Sequence, residues 1–283
     1  MVTGLSRIGK TTAIKYWNVL LAEDMPTLMR VTLLCIHKQV RAVTENHFLE
    51  WFLESVNHEF PSSGNAERKR KRLIEFLCER IAESWQRRAV LFFDDAQELH
   101  PDQYGWLMAI TNELEKRGYQ LTVVLVGQPD LEHQRSAFVR AKYLQLIGRF
   151  MVHSVQFHGI RSVDELAYCL RAYDDVARSE YPVGSGYSFT RFFLSESFDI
   201  GWRLESMAPL FWSVFREAVR AHEKLQIPMQ YFTYVVEELL VSCQDTDPRE
   251  TITAKTIQQA VENSGFKQRD VLFSKAETTR TEG

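Results

Sequence analysis

The chain lacks the cysteine and histidine patterns that build metal sites or disulfide frameworks. Its 283 residues include four cysteines, spread over residues 35–243 without a Cys-x-x-Cys pair, and eight histidines without a His-x-x-x-His or His-x-Glu pattern. Scattered cysteines of this kind are typical of reduced thiols. We therefore expect neither a structural zinc site nor a disulfide framework, and we expect a cytoplasmic protein.

Long apolar runs and a large net charge are also missing. No stretch approaches the roughly 20 apolar residues of a membrane helix, and Lys10 and Thr11 interrupt the region where a secretory leader would be apolar. These absences predict no membrane association. The formal net charge of −3 is close to neutral, so binding to a polyanion would have to come from a local patch of cations.

What the sequence does contain is a phosphate-binding loop near its start. Residues 4–11 read GLSRIGKT and fit the pattern G-x-x-x-x-G-K-[ST] at every fixed position. The glycines let backbone N–H groups curl around a phosphate, the lysine supplies positive charge to the β- and γ-phosphates, and the threonine hydroxyl can bind Mg²⁺. We therefore predict ATP and Mg²⁺ as cofactors. The predicted nucleotide-binding residues are Gly4, Leu5, Ser6, Arg7, Ile8, Gly9, Lys10, Thr11 and Thr12.

The strand that should precede this loop is short. A phosphate-binding loop normally follows a buried strand, and only Met1, Val2 and Thr3 come before Gly4. We therefore expect a truncated first strand, either a short stub or the remainder of a longer natural beginning.

Strand and helix patterns alternate as far as Phe157, which predicts an α/β fold with a three-layer parallel sheet. The predicted helices cover residues 11–21, 45–60, 66–88, 102–117 and 133–148, and the predicted strands cover residues 27–36, 89–95, 121–127 and 150–157. After Phe157 the patterns are helical, over residues 163–179, 203–222, 229–242 and 253–264. We predict an α/β nucleotide-binding domain over residues 1–158, a small all-helical lid domain over 159–266 and a polar tail over 267–283.

Two acids follow the apolar run Val90–Phe93. In a phosphate-binding-loop fold, a strand next to the loop's own strand ends in an aspartate directed at Mg²⁺. Asp94 fits that role, and Asp95 takes the position of the acid that polarises the attacking water. Gln128 ends the next predicted strand, where a polar side chain can reach the γ-phosphate or the water, because ligands lie at the carboxyl ends of such strands. Simple turn formation is the alternative explanation for Gln128.

Two arginines are candidates for contacts with the phosphates. Arg149, just before the predicted strand 150–157, could reach the nucleotide of a neighbouring subunit and neutralise charge in the transition state. Arg135 and Arg140 are the alternatives on the same predicted helix. Arg203 opens a predicted helix of the second domain, where a cation needs an anion nearby because the helix N-terminus is itself positive.

A basic run opens the third predicted helix. Its members are Arg68, Lys69, Arg70, Lys71 and Arg72, and Lys38 and Arg41 could extend the patch. Cations in a first helical turn oppose the helix dipole unless an anion is near, which favours contacts with the backbone of duplex DNA, without sequence specificity. A solvated helix face is the alternative, since Glu75, Glu79 and Glu83 follow.

Together these residues resemble the AAA+ ATPase superfamily. Within it, the strings Gly-x-x-Arg-x-Gly-Lys-Thr-Thr, Asp-Asp-Ala-Gln-Glu-Leu and Gly-Gln-Pro-Asp-Leu resemble the transposition regulators of Tn7-like elements (the TnsC/TniB group), and secretion ATPases of the ExeA type share much of this signature. The resemblance covers roughly residues 4–261. The chain departs from the pattern at Asp95, where the group usually has Glu, and in its short first strand.

This resemblance implies an ATPase that oligomerises on duplex DNA with ATP and recruits or licenses a transposase, and whose hydrolysis drives disassembly. Its partners would be duplex DNA, further copies of itself in a ring or filament, the transposase and target-selection proteins. Three alternatives stay open: an ATP-gated scaffold that does not hydrolyse, which Asp95 favours, an ExeA-like secretion ATPase without a DNA role, and an inactive remnant.

Overall fold

The computed structural model describes residues 1–24, 32–36, 44–84, 86–220, 224–244 and 246–267, with the backbone alone for 18–24 and 32–36. The chain divides into two compact units, Met1–Phe157 and His158–Gly283. The predicted boundary after residue 158 lies one position from this division. Of the predicted tail, residues 268–283 lie outside the described part of the chain.

A five-stranded parallel sheet forms the centre of the first unit and confirms the predicted α/β class. Its strands are β1 (Val2–Thr3), β2 (Thr32–Ile36), β3 (Arg88–Asp94), β4 (Gln120–Gly127) and β5 (Val155–Gln156), in the order β2-β3-β4-β1-β5. Although β1 has only two residues, it pairs on both sides, with Val2 opposite Val126 of β4 and Val155 of β5. The short first strand is therefore an interior strand of the sheet.

The sheet order corrects one expectation about the acids. We expected the strand that ends in Asp94 to neighbour the strand before the phosphate-binding loop, but β4 lies between β3 and β1. All five strands run parallel, so their carboxyl ends still meet at the same edge. Two strand spacings amount to roughly 10 Å, a gap that the loop after β1 has to cross.

Helices connect the strands in the first unit. They are α1 (Lys10–Asp24), α2 (Glu45–Ser55), α3 (Ala66–Ala82), α4 (Pro101–Lys116), α5 (Asp130–Arg140) and α6 (Leu144–Phe150), with a 3-10 turn at Ala96–Glu98. Side chains of β3 point alternately to the two sheet faces, as the two-residue period of a strand requires. Leu91 and Phe93 join the large core with α2, α3 and α4, while Val90 and Phe92 pack with Ile14 of α1.

The region 133–157 differs from its prediction. The predicted helix 133–148 is two helices, because Lys142 adopts a left-handed conformation (φ 60°) and the N–H of Tyr143 donates to the carbonyl of Phe138 (3.0 Å). This six-to-one bond is the usual terminator of a helix, here with lysine in place of glycine. The predicted strand 150–157 is wrong over most of its length, since Phe150 ends α6 and β5 is confined to Val155–Gln156.

The second unit is built from helices around its own apolar core. They are α7 (Val163–Asp174), α8 (Val176–Ser179), α9 (Phe189–Phe193), α10 (Ser195–Asp199), a 3-10 turn (Leu204–Met207), α11 (Ala208–Glu217), α12 (Met229–Ser242), α13 (Pro248–Thr251) and α14 (Ala254–Asn263). The predicted helix over 163–179 breaks at Asp175, whose side chain accepts from the N–H of Ala177. No helix in the part of the chain that the structure describes combines the length and apolar character needed to cross a bilayer.

Ion pairs join α2 to α3. The Lys69 side chain is 1% exposed and its ammonium contacts the carboxylate of Glu50. The guanidinium of Arg70 contacts the carboxylate of Glu45, with its Nε 2.9 Å from Oε1. The carboxylates of α2 therefore neutralise cations near the start of α3, which otherwise oppose the dipole of that helix.

We expect Glu50→Ala to lower the free energy of unfolding by about 2 kcal/mol, because it leaves the buried Lys69 ammonium without its anion. The loss stays moderate because the Glu50 side chain is 29% exposed. Urea unfolding followed by circular dichroism measures it. Glu75→Ala is the matched control: it removes an exposed carboxylate 3.9 Å from Lys71 and should change stability by less than about 0.5 kcal/mol. Equal effects of the two substitutions would contradict this account.

Candidate functional site

The loop after β1 begins at a tightly packed glycine. The Gly4 N–H donates to the carbonyl of Gly127 at the end of β4 (3.1 Å). A Cβ at Gly4 would lie 2.7 Å from the backbone oxygen of Phe157, closer than such atoms approach. The loop therefore starts between the ends of β4 and β5, where only glycine fits.

Two left-handed residues then turn the chain into α1. Arg7 has φ 62° and Gly9 has φ 103°, and α1 begins at Lys10, with the Ala13 N–H donating to the carbonyl of Gly9 (2.9 Å). The N–H groups of a helical first turn have no partners within the helix, and they carry its positive dipole end. This loop and helix start therefore form a concave donor surface of the kind that binds phosphate.

The lysine of the motif is folded into this loop. Lys10 is 9% exposed, and its Nζ donates to the carbonyl oxygens of Gly4 (2.8 Å) and Leu5 (2.9 Å). Burial lowers the pKa of the Lys10 ammonium, and the charges of Asp94 and Asp95 oppose that effect. A positive charge therefore sits inside the loop, next to the acids that end β3.

A hydrogen bond from the start of α1 joins the loop to those acids. The Thr11 hydroxyl donates to Oδ2 of Asp94, and the other carboxylate oxygen of Asp94 accepts from the N–H of Asp95 (3.1 Å). Asp94 is 3% exposed. The predicted residues Lys10, Thr11 and Asp94 thus meet at one edge of the sheet, even though β4 separates their strands. A hydroxyl and a carboxylate oxygen are both ligands that suit Mg²⁺.

Asp95 lies just beyond the end of β3 and has a left-handed backbone (φ 52°, ψ 37°), which aspartate tolerates better than most residues. Its Oδ1 accepts from the side-chain amide of Gln97 (3.2 Å), and the Oε1 of Gln97 accepts from the backbone N–H of Gln128 (3.0 Å). Gln97 therefore connects two predicted site residues. We did not predict it, although it lies in the string Asp-Asp-Ala-Gln-Glu-Leu. Spacing along the chain gives no sign that this side chain turns towards β4.

Residues 1–134 match the family model described as an AAA domain. The chain is also similar in structure to the Aeropyrum pernix ORC2 protein in its ADP form, with 14% identity and a TM-score of 0.55, over 93% of this chain and 61% of that one. The chain has the AAA+ P-loop fold. The family match supports an AAA domain over residues 1–134, and the structural similarity supports the fold, which is the coarser part of the resemblance.

Two further structures were found at lower similarity. One is the A. pernix ORC2 protein with ADPNP and ADP (14% identity, TM-score 0.43, over 94% of this chain and 73% of that one). The other is Cdc6p from Pyrobaculum aerophilum (16% identity, TM-score 0.42, over 99% of this chain and 78% of that one). No curated protein matched the sequence.

The arginine predicted to reach the nucleotide of a neighbouring subunit has a partner in its own chain. Arg149 lies in the last turn of α6, not directly before a strand, because α6 extends to Phe150. Its Nη2 lies 2.7 Å from Oε1 of Glu115 on α4. A contact with a nucleotide would therefore require Arg149 to exchange this carboxylate for a phosphate.

Arg203 does not open a long helix, which corrects the reason for choosing it. It precedes the 3-10 turn Leu204–Met207, and its Nη1 donates to the carbonyl oxygens of Phe198 (2.8 Å) and Trp202 (2.7 Å). It thus lies at the C-terminal end of α10, where a cation is favourable. The anion at the start of the 3-10 turn is Asp174, which accepts from the N–H of Leu204 (3.1 Å).

The basic run is distributed around α3, because successive helical residues point about 100° apart. Lys69 is buried against Glu50, so its predicted contact with DNA is wrong. Arg70 contacts Glu45, and Arg72 donates to the carbonyl of Ser63 (3.0 Å). Arg68 and Lys71 are exposed. Lys38 and Arg41 lie outside the described residues.

We expect Thr11→Val to lower the free energy of unfolding without nucleotide by about 2 kcal/mol, because the buried Asp94 loses a hydroxyl donor. The valine keeps the shape of the threonine side chain, so the change isolates the hydrogen bond. Thr12→Val makes the same substitution at an exposed neighbour and should change stability by less than about 0.5 kcal/mol. Urea unfolding of both variants tests the Thr11–Asp94 contact, and indistinguishable curves would refute it.

Proposed function

We propose that the chain binds ATP with Mg²⁺ at the loop Gly4–Thr11 and hydrolyses the nucleotide. The observation that carries this proposal is the contact between the Thr11 hydroxyl and the Asp94 carboxylate, next to a buried Lys10. The similar ORC2 structure is an ADP form, which supports a nucleotide as the ligand. The chain covers 61% of that protein, so its activity is inferred from its own site.

Each residue then has a defined task. Lys10 exchanges the carbonyls of Gly4 and Leu5 for phosphate oxygens, and the N–H groups of the loop and of the α1 first turn donate to the same phosphates. Thr11 and Asp94 are the residues that would hold Mg²⁺, which supplies positive charge against the phosphates. Asp95 would orient the attacking water, and Gln128, which follows the end of β4, would face the γ-phosphate. Catalysis is mainly positioning and electrostatic stabilisation.

We expect Lys10→Ala to weaken ATP binding by at least about 100-fold, because the loop loses the buried lysine that supplies positive charge to the β- and γ-phosphates. Titration with a fluorescent ATP analogue measures the affinity. Lys15→Ala, an exposed lysine of the same helix, is the control and should bind like the unchanged protein. Unchanged affinity in Lys10→Ala would refute the site.

The biological role that we propose is an ATP-dependent regulator of DNA transposition. The chain would oligomerise on duplex DNA with ATP, recruit or license a transposase, and dissociate after hydrolysis. The support for this role is the resemblance to the TnsC/TniB group, together with the exposed cations Arg68 and Lys71 on α3. In such an oligomer Arg149 would act on the nucleotide of a neighbouring subunit, and Arg203 would act from the second unit.

A scaffold that binds ATP without hydrolysing it is the second candidate. The observation that favours it is Asp95, whose side chain is one methylene shorter than glutamate and is already hydrogen-bonded to Gln97. Release of phosphate, with and without DNA, separates the two functions. A rate no greater than that of Asp94→Ala supports the scaffold, and a higher, DNA-dependent rate supports the ATPase.

We expect the double substitution Arg68→Ala and Lys71→Ala to weaken binding to duplex DNA and to reduce the slope of log K against log salt concentration by about 2, since each phosphate contact contributes about 0.9. Filter binding across a salt series, with ATP present, measures this slope. Lys116→Ala removes an equally exposed cation from α4 and should leave the slope unchanged. If the double substitution leaves DNA binding unchanged, α3 is not the DNA-binding surface and the proposal for Arg68 and Lys71 is refuted.

A further inference from the structure

The side chain of Gln97 lies between Asp95, the proposed catalytic acid, and Gln128, which follows the end of β4. The amide of Gln97 donates from Nε2 to Asp95 and accepts at Oε1 from the N–H of Gln128. Its two ends are chemically different, since a carboxylate can only accept and an N–H can only donate. Reversing the amide would make both contacts repulsive, so the two partners fix its orientation together.

Gly127, the last residue of β4, leaves room for this amide because it has no Cβ. A Cβ at Gly127 would lie 2.5 Å from Oε1 of Gln97, so a side chain at residue 127 would displace the amide. Gly127 also accepts from the N–H of Gly4 through its carbonyl. The same short segment of β4 therefore holds the start of the phosphate-binding loop on one side and Gln97 on the other.

Asp95 needs such a support for its carboxylate. Its backbone is left-handed, and its side chain is shorter than the glutamate usual at this position in the group that it resembles. A carboxylate that orients water has to be held in the productive direction, because small displacements of catalytic groups are costly. In the part of the chain that the structure describes, Gln97 is the side chain found hydrogen-bonded to the carboxylate of Asp95.

We propose that Gln97 is a positioning residue for ATP hydrolysis: it sets the direction of the Asp95 carboxylate and ties it to the end of β4 through Gln128. This inference rests on the proposed ATPase function and adds a residue to it. The side-chain hydrogen bonds of Gln97 run to Asp95 and to the N–H of Gln128, so we expect its substitution to lower the rate of hydrolysis and to leave nucleotide affinity unchanged.

The test is a kinetic double-mutant cycle that uses Gln97→Ala and Gly127→Ala. We expect each single substitution to lower kcat by about 10- to 100-fold, and we expect Gln97→Ala to leave KM and the Kd for an ATP analogue within about twofold of the original values. In Gln97→Ala the side-chain oxygen that faces Gly127 is gone, and the nearest remaining neighbour of a Cβ at residue 127 is Cδ2 of Leu131 at 3.3 Å, which a small side-chain shift relieves. Adding Gly127→Ala to Gln97→Ala should therefore lower kcat by less than about twofold further. Losses in kcat that multiply in the double variant would overturn the proposal, as would an unchanged kcat in Gln97→Ala.

Gln97→Glu separates positioning from a structural role. It keeps an acceptor for the N–H of Gln128 but loses the donor to Asp95 and adds a second negative charge beside it. We expect kcat to fall as far as in Gln97→Ala while the urea midpoint stays close to that of the original protein. A Gln97→Glu variant with full kcat would overturn the proposal.

A last measurement separates this inference from the proposed function. If the original protein releases phosphate no faster than Asp94→Ala, the hydrolysis itself is refuted. The contact is then judged from urea unfolding of Gln97→Ala, Asp95→Ala and the pair. Non-additive changes in the unfolding constant support the link between the two residues, and independent changes overturn it.

Discussion

The contact between the Thr11 hydroxyl and the Asp94 carboxylate is the constraint on which the candidate site depends. It joins the helix after the phosphate-binding loop to the end of β3, across the intervening strand β4. The carboxyl ends of the parallel strands share one edge of the sheet, which lets residues 83 positions apart meet. Lys10 lies next to this contact. Its ammonium donates to the carbonyl oxygens of Gly4 and Leu5, and it also feels the charges of Asp94 and Asp95.

Backbone packing fixes the rest of the site around that contact. The loop starts where Gly4 passes close to Phe157 and its N–H donates to the carbonyl of Gly127. At Gly127, the last residue of β4, the Gln97 amide fills the space that a Cβ would take. Glycine is therefore needed at residues 4 and 127 for room, while at Gly9 it is needed for a positive φ. The same sheet edge thus holds the loop, the acids and Gln97 in fixed relative positions.

The charged residues show how far a one-dimensional pattern can mislead. Three cations were predicted to contact DNA or a nucleotide: Lys69, Arg70 and Arg149. Each of them forms an ion pair with a carboxylate on a neighbouring helix. Arg203 is satisfied by backbone carbonyls at the end of α10. The anions that offset the cations near the start of α3 are Glu45 and Glu50 of α2, within the same chain. Charge alone therefore does not identify a binding surface, and exposure has to be known as well.

Features that depend on residues close together in the chain could be predicted before the structure was known. The spacing of Gly4, Gly9 and Lys10 predicts the loop, and the apolar run before Asp94 predicts β3. The periodicity of residues 229–242 predicts α12. Other features became known from the tertiary structure. They are the strand order β2-β3-β4-β1-β5, the left-handed break at Lys142, the burial of Lys69 and the position of Gln97 between Asp95 and Gln128. These features depend on contacts between segments far apart in the chain, and the residue pattern within one segment does not specify which distant segment it will meet.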